Sequence, residues 1–348
     1  MEEEPVKRVK MRDVAKAAGV SVMTVSYALR GHSRISRETT ERVVAVAREM
    51  GYQPHPLVSA MVRQIQANRE VTAAPVIAYV VSYSSRTRWQ RGVPWQFYEG
   101  AAARCRQLGF GFELFELSNY GMSAKRMSQV MRYRNICGLV VAPVSIAGRT
   151  LDLDWEHFPN VAIGYSMPSP SVHRVAVNYL QSIQLVMERL SAIGYQRIAT
   201  VIDVLESGKR GGEIFAAGVN VFHRSIPAAR RVPIIYKWPG NGREFWRWIS
   251  KHKVDAVVAR SALFNNFFHE EISGRPDGEI GFATLSWKAD KPEIAGLNQN
   301  AFEVGRAAVS TLVQQIYSNE RGIPPLQTFT LVNGSWMDGP SAPGRLLR

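Results

Sequence analysis

The first sixty residues place apolar side chains at the three- and four-residue spacing that is typical of short amphipathic helices. Val14, Ala15 and Ala18 share one face of the first predicted helix. Ser21 and Ser36 stand where two further helices would begin, because a serine hydroxyl accepts a hydrogen bond from an unpaired main-chain N–H. The predicted helices cover 11–18, about 22–29 and about 37–50, the last with Val43, Val44, Ala47 and Met50 on its apolar face.

The first two predicted helices meet the requirements of a helix-turn-helix. Two helices that cross steeply need a small residue at their closest approach, and Ala15 stands there. The turn needs a residue that tolerates positive φ, which Gly19 supplies, and the second helix needs an inward apolar residue, which Val25 supplies. A generic three-helix bundle remains the alternative.

From Val76 onwards the pattern changes to short apolar strands that alternate with helices. This alternation predicts an α/β fold in which parallel sheets are covered by helices on both faces. The strands are too many for one small sheet, so we expect two lobes. The predicted strands cover 76–81, 112–117, 137–142, 161–164, 198–202, 232–236, 256–259 and 280–283, with helices over 97–108 and 179–193.

Composition narrows the class of protein. The formal net charge of +14 favours a polyanionic partner, but residues 1–70 hold 12 Lys and Arg against 8 Asp and Glu, so charge alone does not locate the site. Cys105 and Cys137 lie in apolar surroundings, and no Cys or His spacing suggests zinc. We expect no metal and no cofactor. With no visible secretion signal or membrane-spanning run, we expect a cytoplasmic protein without a membrane partner.

Residues 9–26, which read Val-Lys-Met-Arg-Asp-Val-Ala-Lys-Ala-Ala-Gly-Val-Ser-Val-Met-Thr-Val-Ser, closely resemble the headpiece of the LacI/GalR (lactose-repressor) family. The likeness continues through 38–43 and 50–54. The resemblance implies that the second helix lies in the major groove of DNA, where Val22 and Met23 face base edges. These side chains offer no hydrogen bonds, so they would discriminate by contact with thymine methyl groups. The alternative is that one of them packs inward.

The resemblance assigns further DNA contacts. Tyr27 stands where the family usually has Arg, so we expect weaker guanine readout. Residues 57–63 resemble a hinge helix that forms on DNA, with Met61 in place of the usual Leu wedge and Ser59 in place of Arg; a plain linker is the alternative. The expected DNA-binding residues are Ser21, Val22, Met23, Thr24, Ser26, Tyr27, Arg30, Arg34, Ser59 and Met61.

The remainder resembles the effector-binding half of the same family, which is similar to type I periplasmic sugar-binding proteins. Residues 97–100, 108–110, 137–140, 175–178, 193–198 and 215–218 carry the likeness. The resemblance implies that lobe one covers about 75–168 with a return near 297–325, and that lobe two is the rest. Three polar anchors that the family uses for sugars are replaced, by Phe215, Ser261 and Thr284. Either the cleft between the lobes binds a different ligand, apolar or anionic, or the cleft is degenerate. The candidate effector contacts are Tyr83, Trp89, Trp95, Phe215, Arg260 and Trp287.

These features together predict a sequence-specific transcription regulator. We expect a headpiece over 1–54, a hinge and linker over 55–74, and a two-lobed effector and dimerisation domain over 75–348. The protein would bind a near-palindromic operator in double-stranded DNA as a homodimer, act as a repressor, and respond to a small-molecule effector. We expect no catalytic residues; a solute-binding protein or an enzyme built on the two-lobed domain is the alternative.

Overall fold

The structure, a computed structural model, describes residues 9–29, 35–52, 74–82, 92–117, 123–144, 151–202, 209–236, 242–260 and 280–344. The chain separates into two compact units, Met1–Thr72 and Ala73–Arg348. The smaller unit is called the headpiece below, and the larger unit the core.

The described headpiece consists of helices α1 (Met11–Ala18), α2 (Val22–Ala28) and α3 (Arg37–Glu49). The predicted bounds of α1 agree with the structure, whereas α2 and α3 each end one residue before their predicted ends. Gly19 adopts φ 65°, and the main-chain N–H of Val20 donates to the carbonyl of Ala15 at 3.0 Å, which closes α1 as the turn required.

A small apolar core holds these three helices together. Each helix contributes to it, and the contact between α1 and α2 uses alanines, which let the two main chains approach closely. Val44 is a correction to the predicted apolar face, because its side chain is 44% exposed while the preceding Val43 is fully buried. The buried residues are Val14, Ala15, Ala18, Val25, Ala28, Val43 and Ala47.

The core alternates strands and helices along the chain. In order, its described elements are β1 (Val76–Val81), α4 (Val93–Leu108), β2 (Gly111–Glu116), α5 (Ala124–Tyr133), β3 (Ile136–Val141), β4 (Asn160–Ile163), β5 (Arg174–Val177), α6 (Tyr179–Ala192), β6 (Ile198–Val201), α7 (Lys209–Ser225), α8 (Gly242–Lys251), β7 (Ala256–Ala259), β8 (Gly281–Thr284), β9 (Ala295–Asn298), α9 (Ala301–Ser318), β10 (Phe329–Val332) and β11 (Ser335–Met337). Short 3₁₀ helices lie at Trp155–His157 and Ala228–Arg230.

These strands form two sheets, one in each lobe. The sheet of lobe one has the order β10-β5-β4-β3-β1-β2 and is parallel throughout, with Val76 opposite Gly111 at the β1–β2 edge. The sheet of lobe two has the order β11-β9-β8-β7-β6, in which only β11 runs antiparallel. The expected α/β fold with two parallel-sheet lobes is confirmed.

Lobe one depends on a close crossing of α4 and α9 over one face of its sheet. A Cβ atom built at Gly100 of α4 would overlap the main-chain carbonyl of Phe302 in α9. A Cβ atom at Gly305 of α9 would overlap the carbonyl of Phe97 in α4. The two glycines therefore allow the helices to lie almost in main-chain contact above the apolar face of the sheet.

Two expected boundaries in the core are wrong. Lobe one does not stop near 168, because β5 at 174–177 and the later β10 both belong to its sheet. Residues 232–236 do not form a strand; they contribute a single bridge between Ile235 and Val201 beside β6. Pro233 explains the difference, since it has no N–H to donate to a ladder.

The chain passes between the lobes at three described places, after β5, after β9 and after β10. Asparagines join these crossovers. The amide nitrogen Nδ2 of Asn178 donates to Oδ1 of Asn333 at 2.9 Å, and Nδ2 of Asn300 donates to the main-chain carbonyl of Asn333 at 2.9 Å. Asn300 has φ 50°, a conformation that asparagine tolerates better than most residues. We call these three residues the asparagine hinge.

Candidate functional site

Helix α2 presents an apolar tip to solvent. Val22 is 46% exposed and Met23 is 66% exposed, while Val25 and Ala28 on the opposite face are buried. The alternative in which Val22 or Met23 packs inward is therefore excluded. Exposed apolar side chains at the start of a helix that is held by its other face are suited to contact with an external partner.

The first turn of α2 is fixed by its cap. The main-chain N–H of Thr24 donates to Oγ of Ser21 at 3.0 Å, and the two hydroxyl oxygens lie 2.9 Å apart. The cap holds the backbone of Val22 and Met23 in helical geometry, so the direction of both side chains is defined before any ligand binds. Ser26 and Tyr27 follow on the same helix and are half-buried.

Four of the expected DNA-binding residues lie outside the described residues: Arg30, Arg34, Ser59 and Met61. The expected hinge helix also falls there. Within α3, the described Arg37 is exposed, and its Nε lies 2.8 Å from Oε1 of Glu41. Such an exposed pair is weak, so a phosphate oxygen can compete for this guanidinium.

The core brings a second group of candidate residues together at the carboxyl ends of its strands, which is where open α/β sheets bind ligands. Arg260 directly follows β7, and its Cζ lies 5.4 Å from the ring centroid of Tyr179 and 5.5 Å from that of Phe215. The two rings are 4.5 Å apart and inclined by 31°. Of the sequence candidates, the structure thus joins Phe215 and Arg260.

Tyr165 and Tyr179 are not among the candidate residues that the sequence predicts. Tyr165 follows β4 in lobe one, and its ring lies 5.5 Å from that of Tyr179. Its hydroxyl donates to the carbonyl of Val177 at 3.1 Å, and burial together with the neighbouring Tyr179 raises the pKa of Tyr165 to about 12. We call Tyr165, Tyr179 and Phe215 the aromatic bridge, because their rings connect lobe one to lobe two.

The other effector candidates are placed differently. Trp95 stacks on Tyr98 at 5.0 Å in the first turns of α4, within a lobe-one cluster that includes Tyr79 and Phe112. Trp287 is half-buried beyond the end of β8, and its main-chain N–H donates to the carbonyl of Leu297 at 2.8 Å. Tyr83, Trp89 and Ser261 lie outside the described residues.

Groups that carry other chemistry are not assembled in the part of the chain that the structure describes. Across those residues, no three His, Cys, Asp or Glu side chains lie close enough to hold a metal ion. Burial raises the pKa of Cys105 and Cys137 to about 12, so both remain unreactive thiols at neutral pH. None of the described helices is long and apolar enough to cross a membrane.

Comparison with known proteins finds sequences that are similar to both units. The model of bacterial regulatory proteins of the lacI family matches residues 10–55. The HTH-type transcriptional regulator PtxS of Pseudomonas plecoglossicida is 21% identical over 90% of this chain and 91% of its own length. The HTH-type transcriptional regulator TreR of Escherichia coli K12 is 25% identical over 89% of this chain and 94% of its own length.

A solved structure agrees with the fold. The lac repressor dimer bound to operator and the anti-inducer ONPF superposes with a TM-score of 0.55, at 19% identity, over 97% of this chain and all of that chain. The similarity supports the order of headpiece and two-lobed core. The headpiece is thus similar to the lacI family model, and nearly the whole chain is similar to named transcription regulators.

Proposed function

We propose that this protein is a transcription regulator of the LacI family, a repressor that binds a near-palindromic operator as a homodimer, with α2 of each subunit in the major groove. The observation that carries the proposal is the exposure of Val22 and Met23 on the capped start of α2, opposite the buried Val25 and Ala28. A two-fold dimer places two such helices on successive turns of one face of the duplex, which accounts for a near-palindromic site.

Base reading by this helix is apolar. Val22 and Met23 have no polar atoms to match a base edge, so thymine, which carries a methyl group in the major groove, is the favoured contact. Tyr27 supplies one hydroxyl instead of the two-pronged donor that selects guanine. The phosphate backbone of the operator is contacted by Ser21, Thr24, Ser26, Arg30 and Arg34. The centre of the operator is contacted by the hinge residues Ser59 and Met61.

Regulation enters through the core. A small effector between the lobes would change the lobe angle at the asparagine hinge and, through residues 55–74, the spacing of the two headpieces; such coupling requires different affinities for the two lobe arrangements. The similarity to named regulators supports this function over that of an enzyme or a transport protein.

Selection from random duplexes by the full-length protein tests the proposal. We expect a near-palindrome with thymine at the positions under Val22 and Met23, and no invariant guanine under Tyr27. Each phosphate contact should add about −0.9 to the slope of log affinity against log salt. Failure to shift any duplex at low salt would contradict the proposal.

A further inference from the structure

The amino end of the lobe-two sheet carries a group of cations that the proposed function does not use. Arg197 directly precedes β6, and Lys253 lies shortly before β7. Because β6 and β7 are parallel, both residues lie at the same edge of the sheet, opposite the carboxyl ends of the strands. We call the cations of this surface the basic edge: Arg197, Arg224, Arg230, Arg231, Lys251 and Lys253.

The guanidinium of Arg197 joins two segments of this surface. Its Nη1 donates to the main-chain carbonyl of Ala229, and its Nε donates to the carbonyl of His252 at 2.7 Å. Residues 228–231 and 251–253 therefore lie on either side of one side chain. The cations that these two segments carry belong to one continuous surface of the core.

The positive charge of the basic edge is not paired with acidic side chains. All its members except Arg197 are exposed, and none of the exposed members forms an ion pair with another residue that the structure describes. The carboxylate of the nearby Asp255 accepts from the main-chain N–H groups of Gln196 and Arg197, at 2.8 and 2.9 Å. Burial and the Arg231 cation lower the pKa of His223, which agrees with a positive local potential.

Lys253 occupies a position where a lysine costs stability. It follows α8 with φ 49°, and its N–H donates to the carbonyl of Ser250 at 3.1 Å. Every other described residue with a positive φ is glycine or asparagine, as at Gly109 after α4 and Asn319 after α9. Lysine has a Cβ atom that strains this conformation. Backbone strain that persists in a native structure indicates a functional use, which here is the charge at 253.

The composition of this surface favours nucleic acid over protein as the partner. Protein–protein interfaces have an apolar centre from which lysine is depleted. Protein–DNA interfaces are more polar and much more positively charged. Within 223–231 and 251–253 no large apolar side chain is exposed.

We propose that the basic edge binds the phosphate backbone of duplex DNA, as a contact additional to that of the headpiece. The proposal goes beyond the proposed function, because this surface belongs to the core. Long cationic side chains that contact phosphates carry no sequence information, so the additional contact is independent of sequence and weakens as salt rises.

The test measures the affinity of the full-length protein for a labelled random-sequence duplex, by fluorescence anisotropy, from about 50 to 200 mM salt. The variant Arg224→Gln/Arg230→Gln/Lys253→Gly should lose at least about tenfold in affinity at the lowest salt. Its slope of log affinity against log salt should be about 2.7 less steep, since three phosphate contacts are removed. The matched control Arg106→Gln/Lys125→Gln/Arg321→Gln removes three exposed cations from lobe one and should change the affinity at most about twofold.

Lys253→Gly alone separates a binding role from a structural one. Glycine relieves the left-handed backbone, so the melting temperature should be unchanged or higher, while the salt slope becomes about 0.9 less steep. A lower melting temperature with an unchanged slope would show that Lys253 is structural, which would overturn its part in the proposal.

A second arm adds the labelled random duplex to protein already saturated with an unlabelled operator duplex. We expect the random duplex to bind the wild type and to bind the basic-edge variant at least about tenfold more weakly, with operator affinity unchanged in both. Absence of a random-duplex complex on the operator-bound wild type would overturn the proposal. If selection yields no operator, the proposed function fails, and the comparison of salt slopes still tests the basic edge.

Two further outcomes would overturn the proposal. Equal losses in the basic-edge variant and the control would show that net charge alone matters. Tighter binding of a glutamate-rich peptide of equal charge than of the duplex would assign the surface to an acidic protein. Circular dichroism verifies that each variant is folded; if the triple variant does not fold, Arg224→Gln/Arg230→Gln decides the test, with an expected slope change of about 1.8.

Discussion

The start of α2 and the aromatic bridge present their side chains by different means. Val22 and Met23 are neighbours in sequence and are oriented by a cap and a glycine within a few residues of them. Tyr165, Tyr179 and Phe215 come from three elements in two lobes and are brought together only by the packing of the core. A local site depends on a few backbone interactions, whereas a site assembled at long range depends on the fold of both lobes.

The largest effect expected from this contrast is a loss of stability in the core that leaves the headpiece folded. Gly100→Ala forces α4 away from the main chain of α9, since the new carbon would overlap the carbonyl of Phe302. We expect a loss of about 1–3 kcal/mol in core stability, as for other overpacked interiors. Urea unfolding monitored by core tryptophans measures it, with the exposed Ala229→Gly as a mild control.

The next largest effect is expected from a substitution in the turn between α1 and α2 of the headpiece. Gly19 has φ 65°, and a Cβ atom there would meet nothing within 4 Å, so the penalty of Gly19→Val is conformational and not steric crowding. A left-handed β-branched residue costs about 1–2 kcal/mol, which is about tenfold in operator affinity. Gly19→Asn, which tolerates this conformation, should retain most binding. Electrophoretic shift assays measure both, and full binding by the Val variant would refute the assigned turn.

The asparagine hinge should give a smaller effect. Asn333→Ala removes the acceptor of the Asn178 side chain but keeps the main-chain carbonyl that accepts from Asn300. We expect a loss of about 0.5–1.5 kcal/mol in core stability. Asn220→Ala on the exposed face of α7 is the control and should be neutral. Equal urea midpoints for both variants would show that the contact contributes nothing.

The smallest effect concerns pH. Burial, reinforced by the nearby Arg231 cation, lowers the pKa of His223 in the folded protein. The folded state then binds fewer protons than the unfolded state, so stability falls as pH drops below about 6.5 towards the folded pKa, and is unaffected above that window. His223→Gln should reduce the fall in stability over this range of pH. Urea midpoints of the wild type and the variant, measured from about pH 7.5 to pH 5, test this prediction. An identical dependence of the midpoint on pH in both proteins would contradict it.

Sequence reasoning recovered what is local. Gly19, Ser21 and Ser36 determine where the headpiece helices begin and end because each acts within one turn of the chain. The exception was Val44, whose helical spacing fits either face; only the packing of Val43 shows which face is buried. The prediction of a strand at 232–236 was wrong because it relied on the apolar residues of this segment and gave too little weight to Pro233, which has no N–H to donate.

The aromatic cluster at the carboxyl ends of the core strands was predicted only in part. Phe215 and Arg260 were expected from the resemblance, but Tyr165 and Tyr179 had no signal of their own, since an isolated tyrosine near a strand end is usually a packing residue. Their proximity follows from the order of strands in two sheets and from the crossover after β5. Neither is visible in local periodicity, because long-range contacts depend on the complete topology.

The most direct test of the central claim is selection of duplexes by the wild type and by Met23→Gln, with Val44→Gln, another exposed apolar residue, as control. Glutamine can form two hydrogen bonds with adenine. The account therefore predicts that the Met23 variant selects adenine where the wild type selects thymine, at one position of each half-site. The Val44 variant should select the wild-type sequence. An unchanged site and affinity for Met23→Gln would contradict the claim that the exposed start of α2 reads DNA.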